Sequence, residues 1–203
     1  MTNISMPNGW TPRPHQLPLW NAIMRDDVKR AVSVWSRRGG KDSTAVNMMA
    51  CKAVTIPALY YYMAPTQKQA RKIIWDNIGS DGRTVMAQAF PEAIRIKTND
   101  QDMRIHVKSA GGKESIVQVV GSDNYDSIVG SNPQGIVFSE WAIAEKPEAW
   151  DFFRPILAEN GGWAVFIYTP RGLNHGYKTY MMANANPKWF CEKLTYADTN
   201  SIT

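Results

Sequence analysis

Cysteine is scarce: Cys51 and Cys191 are the only two in 203 residues, which excludes a disulfide framework, and neither they nor the three histidines fall at zinc-finger spacing. Both cysteines are expected to be buried, apolar-like residues. No apolar run approaches the roughly 20 residues that cross a bilayer. The N-terminus also lacks the basic-then-apolar layout of a signal peptide, so a soluble, cytosolic protein is expected. Internal repeats, low-complexity tracts and an obvious linker are missing too. That leaves one α/β domain with at most a small appendage.

What is present describes a folded chain with a substantial core: 44% apolar residues, eight tryptophans and 20% charged residues. The net charge of +5 and pI near 9.2 favour polyanionic partners.

The stretch Ser36-Arg37-Arg38-Gly39-Gly40-Lys41-Asp42 organises the sequence. It follows an apolar strand signal at 31–35 and precedes a helix-compatible run from Ser43. Glycines let backbone N–H groups turn inward toward phosphate oxygens, and a helix N-terminus adds unpaired donors and a positive dipole end. Lys41 would supply a full charge at the β- and γ-phosphates. The match to the usual pattern is partial, since Trp35 stands at the first glycine and Asp42 where a hydroxyl normally meets Mg²⁺. An ordinary basic turn is the competing reading.

Ahead of the loop, Gln16 precedes a helix-compatible stretch at 19–25. Its amide offers the donor and acceptor that suit an adenine edge. The alternative is a proline-rich strap stapled by Trp10 and Trp20. Beyond the loop, strands are expected at 59–63, 103–107, 115–120, 135–138, 163–168 and 189–195. Helices are expected near 66–75, capped by Thr66, and at 85–90 and 147–157, with a hairpin turn at Gly111-Gly112. The acids between Gly121 and Gly130 read as caps. The basic face of the 66–75 helix suits DNA phosphates or plain solvation. This alternation predicts a mostly parallel sheet with helices on both faces.

Reactive groups of such sheets lie at the carboxyl ends of strands. Glu140 ends the 135–138 strand signal and would lie beside the phosphate loop if its strand and the loop strand are neighbours. A carboxylate there can orient a water molecule or take its proton. Thr169 ends the next buried strand, and Thr169-Pro170-Arg171-Gly172 begins a polar loop running to Gly176. Thr169 could reach the γ-phosphate; a simple Pro-Gly turn is the alternative.

In their order and spacing, the stretches Ser36–Asp42, Ala64-Pro65-Thr66 with Gln69-Ala70 and Ile73-Ile74-Trp75, 137–142 and 168–172 resemble the ATPase domain of the large terminase subunit of tailed bacteriophages, the motor that packages DNA into a preformed capsid. The resemblance spans Gln16 to Thr195. It implies an additional-strand, catalytic-glutamate P-loop fold, with a lead-in and adenine-side segment at 1–30 and the ATPase domain at 31–203. It implies ATP with Mg²⁺, with Glu140 and Lys41 as catalytic groups together with one of Arg37 and Arg38 at the γ-phosphate, which of the two being open. Gln16, Ser36, Arg37, Arg38, Gly39, Gly40, Lys41, Asp42 and Ser43 would contact nucleotide, and Thr169, Pro170, Arg171 and Gly172 would couple its state to DNA grip. An arginine finger from a neighbouring subunit is expected, with Arg71, Arg95 and Arg104 as candidates. The implied partners are double-stranded DNA, held through phosphate contacts, a portal protein and a small terminase subunit. The implied setting is a homo-oligomeric ring at the procapsid portal in the infected cell's cytoplasm, the chain being monomeric in isolation.

The sequence departs from the family pattern at two paired positions. Ser139-Glu140 replaces the usual Asp-Glu, and Asp42 replaces the usual Ser or Thr. The expectation is that hydroxyl and carboxylate have exchanged strands, with Asp42 and Ser139 serving the metal together. The family's nuclease domain has no counterpart in these 203 residues, so no DNA cleavage is expected. A nucleotide-binding module with little hydrolysis is the alternative function.

Overall fold

The chain, described by a computed structural model at residues 9–79 and 81–199, begins with α1 (Leu17–Met24), β1 (Arg30–Trp35), α2 (Lys41–Thr55) and β2 (Leu59–Ala64). It continues with α3 (Gln67–Ala70), α4 (Val85–Ala89), β3 (Arg95–Asn99), β4 (Arg104–Lys108), β5 (Glu114–Gly121) and β6 (Pro133–Ser139). The last elements are α5 (Glu148–Glu159), β7 (Trp163–Tyr168), α6 (His175–Asn184), β8 (Trp189–Leu194) and α7 (Tyr196–Thr199). The polar lead-in expected over Met1–Asn8 lies outside the described residues.

One eight-stranded sheet has the order β3-β4-β5-β2-β6-β7-β1-β8. The six strands from β5 to β8 pair in parallel, and β3 and β4 add an antiparallel edge. The mostly parallel sheet expected from the sequence is therefore present. The inner strands are apolar throughout because both of their faces are covered: all six residues of β7 are buried, as are five of six in β1 and β2.

Side-chain alternation sorts each strand between two cores. Tyr60, Tyr62 and Trp35 pack on one face with Met48 and Met49 of α2 and Leu19 and Ile23 of α1. Tyr61, Met63 and Phe138 pack on the other with Phe153 and Leu157 of α5. Helices thus cover both faces. Eleven of the 15 residues of α2 are buried, making it the central helix of the first layer.

Among the elements that differ from the sequence expectation are the 66–75 helix and the loop after β7. The 66–75 helix starts as expected, with the Thr66 hydroxyl accepting from the Gln69 N–H at 3.1 Å, but it widens to a π-turn at Arg71–Trp75. The loop expected to run to Gly176 ends sooner, because Asn174 caps α6 by accepting from the Gly176 and Tyr177 N–H groups.

Candidate nucleotide site

The turn from β1 into α2 combines two left-handed residues, Arg38 (φ 64°) and Gly40 (φ 78°), on either side of Gly39. Such alternation turns successive N–H groups toward one concave side. Helix α2 starts at Lys41, two residues earlier than expected, and no side chain caps it. Its first N–H groups therefore remain available to an anion.

Gly40 is required on two counts. Its backbone is left-handed, and a Cβ there would lie 2.5 Å from Gln16 Nε2. The Gln16 amide, 2% exposed, donates to the Gly39 carbonyl at 3.1 Å and accepts from the Arg13 N–H at 2.9 Å. His15 Nε2 donates to the same carbonyl at 2.8 Å. Gln16 thus braces the loop, with both ends of its amide engaged by backbone, while Trp10 and Trp20 meet at 5.2 Å and staple the segment.

Lys41 is 6% exposed, and its Nζ lies 2.9 Å from Glu140 Oε1 and 3.4 Å from Thr169 Oγ1. The condition set on Glu140 fails: β1 and β6 are not neighbours, because β7 lies between them. Glu140 reaches Lys41 across the end of that strand. Its backbone is left-handed (φ 48°, ψ 40°), an uncommon state for a residue with a side chain, of the kind that persists only where surrounding structure imposes it. Phe138 and Phe166 stack at 4.7 Å beneath this turn, with Trp141 edge-on to both.

Asp42 and Ser139 do come together. One carboxylate oxygen of Asp42, Oδ1, accepts from Ser139 Oγ at 2.8 Å and from the Tyr62 hydroxyl at 2.6 Å. Burial, the Asp42 carboxylate and the nearby Glu140 raise the Tyr62 phenol well above its ordinary range, so Tyr62 stays protonated and donates. Sequence reasoning missed Tyr62 because an aromatic within an apolar strand carries no signal beyond core packing. Among the described residues no group of three or more His, Cys, Asp or Glu could cage a metal ion. An acid and a hydroxyl beside the phosphate loop are nonetheless hard-oxygen donors of the kind that fit Mg²⁺ arriving with phosphates and water.

The remaining residues expected to contact nucleotide lie on the turn from β1 and the start of α2. The Ser36 hydroxyl is buried with no hydrogen-bond partner among the described residues, while its N–H bonds the Leu194 carbonyl of β8 at 3.0 Å. Arg37 and Arg38 are exposed, and Ser43 is half-buried in the first turn of α2.

The coupling candidates form a bridge. Thr169 touches Lys41, Pro170, Arg171 and Gly172 (φ 79°) are exposed, and Asn174 Nδ2 then donates to the Ala142 carbonyl at 2.6 Å. His175 bonds the Trp141 carbonyl, and Trp141 Nε1 donates to Thr179 Oγ1 at 2.9 Å. A Cβ on Gly176 would come within 2.9 Å of Ala142. The N-terminus of α6 therefore clasps the turn that carries Glu140.

The arginine-finger candidates are committed elsewhere within the chain. Arg71 donates to the Asp100 carbonyl at 2.6 Å, Arg95 to the Phe90 carbonyl at 2.9 Å and Arg104 to Gln118 Oε1 at 3.1 Å. Arg104, on β4, lies five strands from β1.

A glycine-turned loop into a buried helix, with a strand inserted between the loop strand and the strand that ends in a carboxylate, is the arrangement of an α/β P-loop NTPase fold. No protein-family model matches the chain. It is 26% identical over 180 residues to the large terminase subunit of Thermus virus P23-45, covering 84% of this chain and 36% of that protein. It is also 26% identical over 204 residues to that of Escherichia phage T5, covering 98% and 44%. The chain thus spans between about a third and a half of the length of these relatives. Among solved structures, the large terminase ATPase domain of Thermus phage P74-26 superposes with a TM-score of 0.69 at 23% identity, covering 92% of this chain and 82% of that one. The large terminase of another thermophilic bacteriophage gives 0.75 at 16% identity, covering 95% and 48%. That second terminase has been solved with ADP and with ATP-γ-S. The chain is similar in sequence to phage large terminases and has the fold of their ATPase domains.

Proposed function

We propose that this chain is the ATP-hydrolysing motor domain of a phage DNA-packaging machine. The observation that carries the reading is the meeting of Lys41 and Glu140 at 2.9 Å beneath the glycine loop. Incoming phosphates would replace Glu140 as the counter-charge of Lys41. Glu140 would then be free to orient a water molecule and take its proton as the water oxygen bonds to the γ-phosphorus and the bond to the bridging oxygen breaks. Arg37 and Arg38 are exposed, and one of the two would contact the γ-phosphate. The backbone donors of the loop and of α2 would hold the phosphates, and release of the Gln16 amide from Gly39 would let it meet the adenine edge. Asp42 and Ser139 would hold Mg²⁺, which supplies charge neutralisation on the β- and γ-phosphates when bound.

The coupling reading rests on Thr169, which touches Lys41 at one end of a loop whose other end, Asn174, holds the Glu140 turn. A change at the phosphates would shift the exposed loop and α6 together, and DNA would feel that shift. The names of the relatives support a packaging role, and the +5 charge suits DNA phosphates. Binding to duplex DNA should be sequence-independent and fall steeply with salt. Ring assembly at a portal, with a small terminase subunit and a neighbour's arginine completing each site, belongs to the same proposal. So do a monomeric state in isolation and a cytoplasmic location in the infected host.

Phosphate release from ATP with Mg²⁺, measured across protein concentration for the chain and for Glu140→Gln, tests the proposal. Turnover that rises faster than linearly with concentration and vanishes in the variant supports a motor completed by its neighbours. Tight ATP binding with equal inertness of both proteins at every concentration would instead favour a nucleotide-binding module.

A further inference from the structure

The Asp42 carboxylate is held asymmetrically. Both of its hydrogen bonds, from Tyr62 and from Ser139, converge on Oδ1, and Oδ2 accepts none among the described residues. The two donors come from neighbouring strands. Tyr62 lies on β2 in register with Val137 of β6, two residues before Ser139. The Tyr62 ring is fully buried in the layer shared by the sheet and α2, so its hydroxyl is delivered to Asp42 from a fixed platform. A phenylalanine would fill that layer equally well. The hydroxyl is therefore the part of the side chain that packing does not require.

We propose that Tyr62 is a positioning residue for the metal-bearing nucleotide: its hydroxyl locks the Asp42 carboxylate through Oδ1 and so leaves Oδ2 and the Ser139 oxygen for the divalent cation. This rests on the reading of Asp42 and Ser139 as the metal-holding pair. In the ordinary P-loop arrangement a hydroxyl from the loop and a carboxylate from the strand serve the metal. Here the carboxylate sits on the first turn of α2, where a short side chain has several rotamers open to it. A donor on Oδ1 removes that freedom. Charge-assisted hydrogen bonds from neutral donors are the stronger kind, and 2.6 Å is within their range.

The test measures the affinity of a fluorescent ADP analogue with Mg²⁺ and with the metal chelated, in the wild-type chain, Tyr62→Phe and Asp42→Asn, alongside the melting temperature of each without ligand. Tyr62→Phe is expected to weaken Mg²⁺-dependent binding by about tenfold, with metal-free affinity close to wild type and a melting temperature lowered by several degrees through the lost buried hydrogen bond. Asp42→Asn is expected to lose the Mg²⁺ increment altogether. If Asp42→Asn loses the increment and Tyr62→Phe keeps it in full, the role given to Tyr62 is wrong and the metal reading stands. If both keep it, the metal reading itself fails. Equal weakening with and without metal would show that Tyr62 acts through packing alone and overturn the inference. Should Tyr62→Phe not fold, 3-fluorotyrosine at this position keeps the ring and strengthens the donor. A larger Mg²⁺ increment then supports the inference, and an unchanged one rejects it.

Discussion

Lys41 Nζ and Glu140 Oε1 stand 2.9 Å apart although β7 separates β1, which leads into the Lys41 helix, from β6, which ends just before Glu140. The lysine therefore already has a counter-charge, and under the proposed function a nucleotide would have to displace the carboxylate to claim it. Glu140→Gln removes the competing charge while keeping the shape of the side chain. Nucleotide affinity is expected to rise about threefold to tenfold, while phosphate release falls by about 10²-fold or more. Fluorescence anisotropy with a labelled nucleotide checks the first and a coupled phosphate assay the second. Unchanged affinity would mean that the ion pair does not guard the site.

The contact between Asp42 and Ser139 gives the exchange of carboxylate and hydroxyl a direct test. The two oxygens are 2.8 Å apart, well inside the range where substitutions couple. Asp42→Thr alone leaves no carboxylate at the pair, and Ser139→Asp alone places two there. Each is expected to reduce Mg²⁺-dependent turnover by at least about tenfold. Together they restore one acid and one hydroxyl, and turnover should recover to within about tenfold of the wild type. Simple additivity of the two losses in the double-mutant cycle would reject the exchange.

Asn174 does two jobs that substitution can separate. Its Oδ1 caps α6, and its Nδ2 holds the Ala142 carbonyl behind Glu140. Asn174→Asp keeps a good cap but loses the donor. It should keep the cap and nucleotide affinity but lose about 1 kcal/mol or more of stability, because a carboxylate oxygen then faces the Ala142 carbonyl, and lose turnover several-fold because the Glu140 turn is no longer clasped. Asn174→Ala should in addition lose about 1 kcal/mol of stability through the missing cap. Normal turnover in Asn174→Asp would show that the clasp has no bearing on catalysis.

The parts of this protein that sequence made legible are those whose local chemistry is self-sufficient. Apolar runs between turn residues marked the inner strands, because burial on both faces demands them, and Gly39-Gly40-Lys41 marked the loop, where Gly40 takes a left-handed backbone. The antiparallel edge strand β3 was invisible for the opposite reason: four of its five residues are exposed and answer to no apolar pattern. Helix α6 was missed because its buried residues are only Gly176 and Ala183, too small to write a helical stripe, although Asn174 carried a capping signal. The pairing of Asp42 with Ser139 could be reasoned from two compensating departures in one chain. The role of Tyr62 could not, since it depends on strand order. The placement of β7 between β1 and β6 is likewise a property of topology, not of either strand.

Glu192 gives the fold a pH signature. It lies on β8, and its Oε1 accepts from Ser33 Oγ at 3.0 Å and from Trp35 Nε1 at 2.8 Å, both on the loop-bearing strand β1. Burial pushes its carboxyl up to about 7 against the opposing pull of those two donors. An acid raised in the folded state holds its proton where the unfolded chain has already lost it. Folding stability is therefore fullest below the ordinary carboxylate value near 4.5 and falls as pH rises, levelling off above about 7. The contribution amounts to at most about 3 kcal/mol. Glu192→Gln keeps an oxygen that can accept both hydrogen bonds and removes the titration. Chemical denaturation from about pH 4.5 to about pH 8 should show the wild type losing stability relative to the variant through that window, with the gap widest above about pH 7. Parallel curves would show that the carboxyl titrates at its ordinary value, and that the charge beside β1 does not bear on the strand that carries the phosphate loop.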